Sequence, residues 1–141
     1  MTELSQNLSE TEAPAAAASP IRVILVISSR LERLGWSIVV DNQADMELSG
    51  QFDSVGKALA FLAAHPVDVA LIDEAMLTPK HCEALRKHAS QHASRFLLVS
   101  QHPVDESLES SRYSFASACL LKGIPAGTLL AAVRGGPPTR G

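Results

Sequence analysis

The sequence predicts an α/β fold, a three-layer sandwich built on a doubly wound (βα)5 parallel sheet. Two observations predict it. Runs of apolar, often β-branched residues alternate along the chain with segments of helical periodicity, and the runs lack the polar alternation of half-exposed strands. The chain has 141 residues, of which 46% are hydrophobic, so it can bury a core of one domain. Five strands alternating with five helices require parallel strands and right-handed crossovers.

The first four elements follow from local pattern. Residues 23–27 form a continuous apolar run, which predicts a strand buried on both faces. A first helix is predicted from apolar residues at helical spacing: Leu31, Leu34, Ile38 and Val39. Residues 46–50 predict a weaker strand, because only two of them are strongly apolar. A second amphipathic helix, with Val55, Leu59 and Leu62 on one face, ends before Pro66.

The remaining elements continue the alternation. The strands are predicted at 67–73, at 96–100 and at 118–121, and the helices at 79–93, 103–113 and 126–133. Four serines between Ser107 and Ser114 make the helix at 103–113 a weak one, because serine side chains compete for backbone hydrogen bonds. The helix at 79–93 is mostly polar.

The ends of the chain differ in composition from its middle. Residues 1–20 have acidic side chains without basic ones and an alanine run, which predicts a disordered arm. Residues 135–141 contain glycines and prolines that cannot continue a helix, and predict a flexible tail or the start of a linker. The folded domain is therefore expected at 21–134.

Charge and cysteine content exclude several classes of protein. Twelve basic and fifteen acidic side chains give a net charge of −3, which argues against a basic module that binds nucleic acid. No apolar run is long enough for a membrane span, and the first residues do not resemble a targeting peptide. Cys82 and Cys119 are too few for a disulfide framework. We expect a cytoplasmic protein that binds neither nucleic acid nor membranes.

Polar residues follow four of the predicted strands. They are Ser28 and Ser29 after the first strand, Asp73 at the end of the third, Ser100 at the end of the fourth, and Lys122 after the fifth. Ligands of doubly wound sheets bind at the carboxyl ends of the strands. We therefore expect these five residues to converge on one crevice.

This pattern resembles the receiver (CheY-like) domain of two-component response regulators, over about residues 21–134. Residues 66–76 are similar to the phospho-acceptor strand of that family, and the resemblance implies that Asp73 stands at the phospho-acceptor position. Ser100 and Lys122 stand at its phosphate-sensing positions. Residues 46–50 and 120–122 are most similar to the branch that carries a LuxR-type DNA-binding domain. The resemblance also implies the flavodoxin-like strand order 2-1-3-4-5.

The sequence departs from the family at three positions. Ser28 and Ser29 replace an acidic pair that, in the family, helps the acceptor aspartate to hold a divalent cation. Cys119 replaces an aromatic switch residue, and Leu77 replaces a proline. Because hard cations prefer carboxylate oxygens, we expect Mg²⁺ binding to be weak or absent and predict no other cofactor or metal site. Asp73 is then expected to be ionised and paired with Lys122.

The resemblance also implies where partners bind. The family's output and dimerisation face is formed by its fourth helix, fifth strand and fifth helix, here about residues 104–134. We place Tyr113, Leu129 and Val133 on that face, and expect Cys119 to be a small buried residue. A homodimer through this face, or a complex with a sensor kinase or effector, is the expected mode of action.

Two functions remain open from the sequence. The first is an atypical, non-enzymatic receiver that signals by protein–protein interaction with little or no dependence on phosphorylation. The alternative is a receiver phosphorylated on Asp73, which serves as the regulatory half of a LuxR-type transcription factor. Enzymatic and metal chemistry elsewhere are disfavoured. His88 and His92 have a spacing that can bind zinc but lack further ligands, and Ser100 with His102 lacks an oxyanion site.

Overall fold

The computed structural model describes residues 19–102 and 112–135. The strands in this part of the chain are β1 (Ile21–Val26), β2 (Met46–Phe52), β3 (Val69–Asp73), β4 (Arg95–Ser100) and β5 (Ala116–Leu121). The helices are α1 (Arg30–Asp41), α2 (Val55–Ala64), α3 (Pro79–Gln91) and α4 (Ala126–Val133), and a 3₁₀ turn spans Glu74–Met76. The predicted helix at 103–113 falls mostly outside the described residues, and the same holds for the arm and most of the tail.

The five strands form one parallel sheet in the order β2-β1-β3-β4-β5, so the predicted architecture and strand order are confirmed. The register aligns the carboxyl ends of the central strands. Asp73 pairs with Val99, and Ser100 pairs with Leu121, the residue before Lys122. The sheet therefore brings Asp73, Ser100 and Lys122 to one edge, as predicted.

Apolar side chains cover both faces of the sheet. Along β1, Ile24 and Val26 point into the core layer that contains α2 and α3, whereas Val23 and Leu25 point into the layer that contains α4. All four are fully buried, which explains why β1 is apolar throughout. Among the described residues, no helix is both long enough and apolar enough to cross a membrane.

The structure corrects the predicted interaction face. Leu129 and Val133 of α4 are fully buried in the second core layer, and Tyr113 is 6% exposed. Leu129 and Val133 cannot reach a partner, because α4 presents them to the sheet, and Tyr113 packs into the other core layer. Tyr113 lies in a turn that precedes β5 and not at a helix surface.

The two cysteines differ from the prediction in one respect. Cys82 is on the buried face of α3, whereas Cys119 is exposed. The expectation that Cys119 is buried is wrong because β5 lies at the edge of the sheet. Burial alternates along this strand between half-buried and exposed side chains, and Cys119 is on the exposed set.

The predicted helix α1 is present, but most of the apolar residues whose spacing predicted it lie outside the core. Ser37 and Val40 are its buried residues, with Trp36 and Val39 packed against the core. Leu31, Leu34 and Ile38, which predicted the helix, are more than half exposed. The helix has apolar side chains on two faces, and periodicity alone does not say which of them meets the sheet.

Candidate functional site: a crevice at the carboxyl edge of the sheet

Asp73 lies at the floor of the crevice and is 4% exposed. Its Oδ1 accepts a hydrogen bond of 3.0 Å from the backbone N–H of Ala75, which caps the 3₁₀ turn that begins at Glu74. Its Oδ2 accepts a hydrogen bond of 2.9 Å from Lys122 Nζ. Both carboxylate oxygens therefore have a donor, as a buried charge requires.

Lys122 connects the two sides of the crevice. Its backbone N–H donates to the carbonyl of Ser100, which continues the β4–β5 ladder by one residue. Its Nζ contacts two carboxylates, Asp73 at 2.9 Å and Glu32 at 3.2 Å. Burial lowers the pKa of Lys122, but the hydrogen bonds to Asp73 and Glu32 outweigh it, and the net shift is upward. The predicted Asp73–Lys122 pair is present, and the lysine is fully charged at neutral pH.

Glu32 is a member of the site that the sequence interpretation missed. It lies in the first turn of α1, three residues after the helix N-cap Ser29. The signal was available: an acidic residue in the first turn of the helix after β1 starts at the same sheet edge as the residues that follow the strands. The residues that directly follow the strands include one carboxylate, Asp73, whereas the structure places two carboxylates on Lys122.

Ser28 and Ser29, which the resemblance aligns with the family's acidic pair, have different surroundings. Ser29 ends the β1–α1 loop, and its side chain accepts a hydrogen bond of 3.2 Å from the backbone N–H of Glu32. This is a helix N-cap, which satisfies a donor that the first turn leaves unpaired. Ser28 is exposed. Ser29 therefore stabilises the start of α1, and it also orients the turn from which Glu32 reaches Lys122.

A second carboxylate network lies beside the first. Tyr113 Oη donates a hydrogen bond of 2.7 Å to Glu74 Oε2. Burial, together with the hydrogen bond to Glu74, raises the pKa of Tyr113 to about 12. Edge-to-face contact with Phe115 holds the tyrosine ring within the core. The sequence placed Tyr113 on an interaction surface, whereas the structure makes it an internal donor to the residue after Asp73.

The Ser100 side chain is hydrogen-bonded to its own loop. Its Oγ lies 2.7 Å from the carbonyl oxygen of His102, accepts from the His102 N–H at 3.2 Å, and is 3.4 Å from Glu74 Oε1. The hydroxyl has one proton, and the short contact assigns it to the His102 carbonyl. Ser100 is 5% exposed and is held by its own loop. Cys119, which the resemblance aligns with the family's switch residue, is on the exposed edge of β5.

Within residues 19–102 and 112–135, no group of three or more histidine, cysteine or acidic side chains is arranged to hold a metal ion. The imidazole rings of His88 and His92 stack with their centroids 4.2 Å apart, and burial together with the charge of His92 lowers the pKa of His88. In the crevice, the Lys122 ammonium lies between the carboxylates of Asp73 and Glu32.

Several solved structures have a fold similar to that of this chain. The signal receiver domain of the response regulator NarL from Mycobacterium tuberculosis is 24% identical over 84% of this chain and 99% of its own, with a TM-score of 0.70. A chain of the complex between the P1 domain of CheA3 and CheY6 from R. sphaeroides is 25% identical over 84% and 97%, with a TM-score of 0.71. No protein-family model matches the sequence, and no curated protein is significantly similar to it.

A third structure shares the fold. A LuxR-family two-component response regulator from Aurantimonas sp. SI85-9A1 is 18% identical over 84% of this chain and 88% of its own, with a TM-score of 0.68. The strand order and these neighbours define the class: the protein has the architecture of a response-regulator receiver (CheY-like) domain.

Proposed function

We propose that this protein is an atypical receiver domain in two-component-type signal transduction, and that it acts by binding other proteins with little or no dependence on aspartyl phosphorylation. One observation carries the proposal. Lys122 is held between Asp73 and Glu32, so the ammonium already neutralises the carboxylate that a phosphoryl group would reach. The role is regulatory and not enzymatic.

The chemistry of phosphoryl transfer supports this proposal. Transfer to a carboxylate needs a divalent cation that neutralises the moving phosphoryl group, and Mg²⁺ is bound through one or two carboxylates together with water and phosphate. Ser28 and Ser29 are neutral, and Ser29 is used as a helix cap. Glu32 could contribute a carboxylate only by releasing Lys122. Each cation bound would therefore cost an ion pair that the folded protein already has.

A specific observation favours the alternative function as well. Asp73, Ser100 and Lys122 are all present at the carboxyl edge of the sheet, and one structural neighbour is a LuxR-family response regulator. If Asp73 accepts a phosphoryl group, the chain is a phosphorylatable receiver that serves as the regulatory half of a LuxR-type transcription factor. Ser100 must then leave the His102 carbonyl and turn toward Asp73.

Under either function the partner is a protein: a second copy, a sensor kinase or an effector. The P1 domain of CheA3 bound to CheY6 is one such complex among the structural neighbours. The described residues of the predicted output face offer Cys119 and Leu121 as exposed side chains, after Leu129 and Val133 are assigned to the core. A cytoplasmic location fits two-component signalling.

The test is a Mg²⁺ titration with beryllofluoride, which mimics a phosphoryl group, followed by the amide NMR shifts of Asp73, Ser100 and Lys122. We expect no saturable shifts in the wild-type protein. The Ser28→Asp/Ser29→Asp variant restores the two carboxylates, and aspartate also caps helices well, so we expect shifts to appear there.

The matched control is Asp73→Asn in the same double variant, which should abolish the restored shifts. Saturable shifts in the wild-type protein that disappear in Asp73→Asn alone would contradict the proposal and support the phosphorylatable receiver.

A further inference from the structure

Helix α1 exposes a row of large apolar side chains. Leu31 is 79% exposed, Leu34 55% and Ile38 53%, and they account for three of the four large apolar side chains that the described residues expose. Their spacing of three and four residues places them on one face of the helix. We call these three residues the α1 stripe. Exposed apolar clusters of this kind mark interaction surfaces.

We propose that the α1 stripe is a self-association surface, on which two copies of this chain pair through antiparallel α1 helices around a two-fold axis. This interface goes beyond the function proposed above and does not depend on whether Asp73 is phosphorylated. It also differs from the predicted face, because it lies on α1 and not on β5 and α4.

The charges at the two ends of α1 select a second copy as the partner. Arg30 is exposed at the amino end of the helix and Asp41 at its carboxyl end. Neither side chain makes an ion pair or hydrogen bond with another described residue. In an antiparallel pair, Arg30 of each copy lies beside the partner's Asp41. The two-fold axis therefore produces two Arg30–Asp41 ion pairs, one at each end of the helix pair. A partner of one charge sign would match one end and be repelled at the other.

The shape of the helix face agrees with a crossing near its middle. Gly35 lies four residues after Leu31 and three before Ile38, and the position of a Cβ at Gly35 faces open space. A crossing point without a side chain lets two helices approach closely. The antiparallel arrangement then sets Leu31 against the partner's Ile38.

A cavity beside the stripe provides a place for an incoming side chain. It has a volume of about 480 Å³ and is lined by Arg30, Leu31, Arg33, Leu34 and Gln51. The partner's Ile38 reaches the same end of the stripe and can enter this cavity. Three side chains and one helix face still offer less area than the ~800 Å² that each partner buries in a standard interface, so the dimer is expected to be weak.

Sedimentation equilibrium of the full chain, from about 1 µM to about 1 mM, tests the proposal in the range where a small interface dissociates. We expect a reversible monomer–dimer equilibrium. Leu34→Arg should raise the dissociation constant at least ~10-fold, because it places a charge at the centre of the interface. The control is Leu121→Arg, which puts the same side chain on an exposed position of β5. Far-UV circular dichroism confirms that both variants are folded.

A charge exchange tests the antiparallel orientation. Arg30→Asp and Asp41→Arg should each weaken the dimer a few-fold, and the double variant should restore it, because the exchanged charges again face each other. The proposal is overturned by a protein that stays monomeric throughout, by a dimer that Leu34→Arg leaves unchanged, or by a dimer that Leu121→Arg disrupts. A double variant weaker than either single one would overturn the antiparallel orientation.

Discussion

Lys122 is the residue through which the two sides of the crevice interact. One ammonium group serves Asp73 from β3 and Glu32 from α1, and Ser29 orients the turn that carries Glu32. The positive charge beside Asp73 is therefore supplied by a side chain of the protein itself. A buried carboxylate needs such a partner, because an unpaired charge away from water costs free energy.

Tyr113 provides the most direct test of the second network, because it is the only tyrosine in the sequence. Burial and the Glu74 hydrogen bond raise its pKa from the ordinary value of 10.0 to about 12. The absorbance of tyrosinate should therefore titrate near pH 12 in the folded protein and near 10.0 in urea. Glu74→Gln should bring the folded value closer to 10.0, since it removes the neighbouring negative charge while the tyrosine stays buried.

The sign of the effect on stability follows from the same shift. A folded-state pKa that lies above the unfolded one makes the folded protein hold its proton more tightly. The stabilisation is complete below pH 10.0 and is lost as the pH rises toward about 12. The upward shift of the pKa of Lys122 acts in the same direction, above its ordinary value of 10.5. A tyrosine that titrates near pH 10.0 in the folded state would contradict the buried Tyr113–Glu74 contact.

Among the elements, the strands and helices were largely predictable, whereas their exposed faces were not. The apolar runs of β1 and β3 and the helical spacing of α1 and α2 are local signals, and the structure confirms those elements. Which face of α1 meets the sheet depends on the crossover that joins the helix to β1 and β2. The residue spacing within the helix does not contain this information. The spacing of Leu31 and Ile38 therefore predicted the helix but not the exposure of these side chains.

The site was predictable in part: its residues at the strand ends could be predicted, and two others could not. Strand ends are fixed by the pattern, so Asp73, Ser100 and Lys122 could be brought together from the sequence, and the Asp73–Lys122 pair is observed. Glu32 and Tyr113 reach the crevice through side-chain length and loop course. Neither position follows from strand periodicity, because Glu32 lies in the first turn of α1 and Tyr113 lies in the turn before β5.

The start of α1 offers a prediction at the scale of one element. Ser29 caps the helix through the N–H of Glu32, whereas Ser28 is exposed and makes no described side-chain hydrogen bond. Ser29→Ala should lower the free energy of unfolding by about 1 kcal/mol, because the first turn loses its side-chain acceptor. The matched control, Ser28→Ala, should change it by less than about 0.5 kcal/mol. Urea denaturation measures both, and equal effects would show that the cap contributes nothing specific.

At the scale of the whole molecule, α4 closes one of the two core layers. Leu129 and Val133 are fully buried against the sheet, and Leu130 and Ala132 are nearly so. Two contacts hold the end of this helix in place. The Arg95 guanidinium donates to the carbonyl oxygens of Ala132 and Val133, and Arg134 forms an ion pair of 2.7 Å with Asp45. The last helix is thus tied to β4 and to the loop before β2.

Removal of α4 should therefore unfold one side of the molecule. A chain that ends at Pro125 exposes Val23, Leu25 and the other apolar side chains of that layer, whereas a chain that ends at Gly135 keeps every described contact of α4. We expect the shorter chain to bind the dye ANS and to lose cooperative thermal unfolding, as compact states without fixed packing do. The longer chain should unfold in one transition close to that of the full protein. Cooperative unfolding of the chain that ends at Pro125 would show that the remaining layer folds alone, and that α4 packs against the sheet without being required to form it.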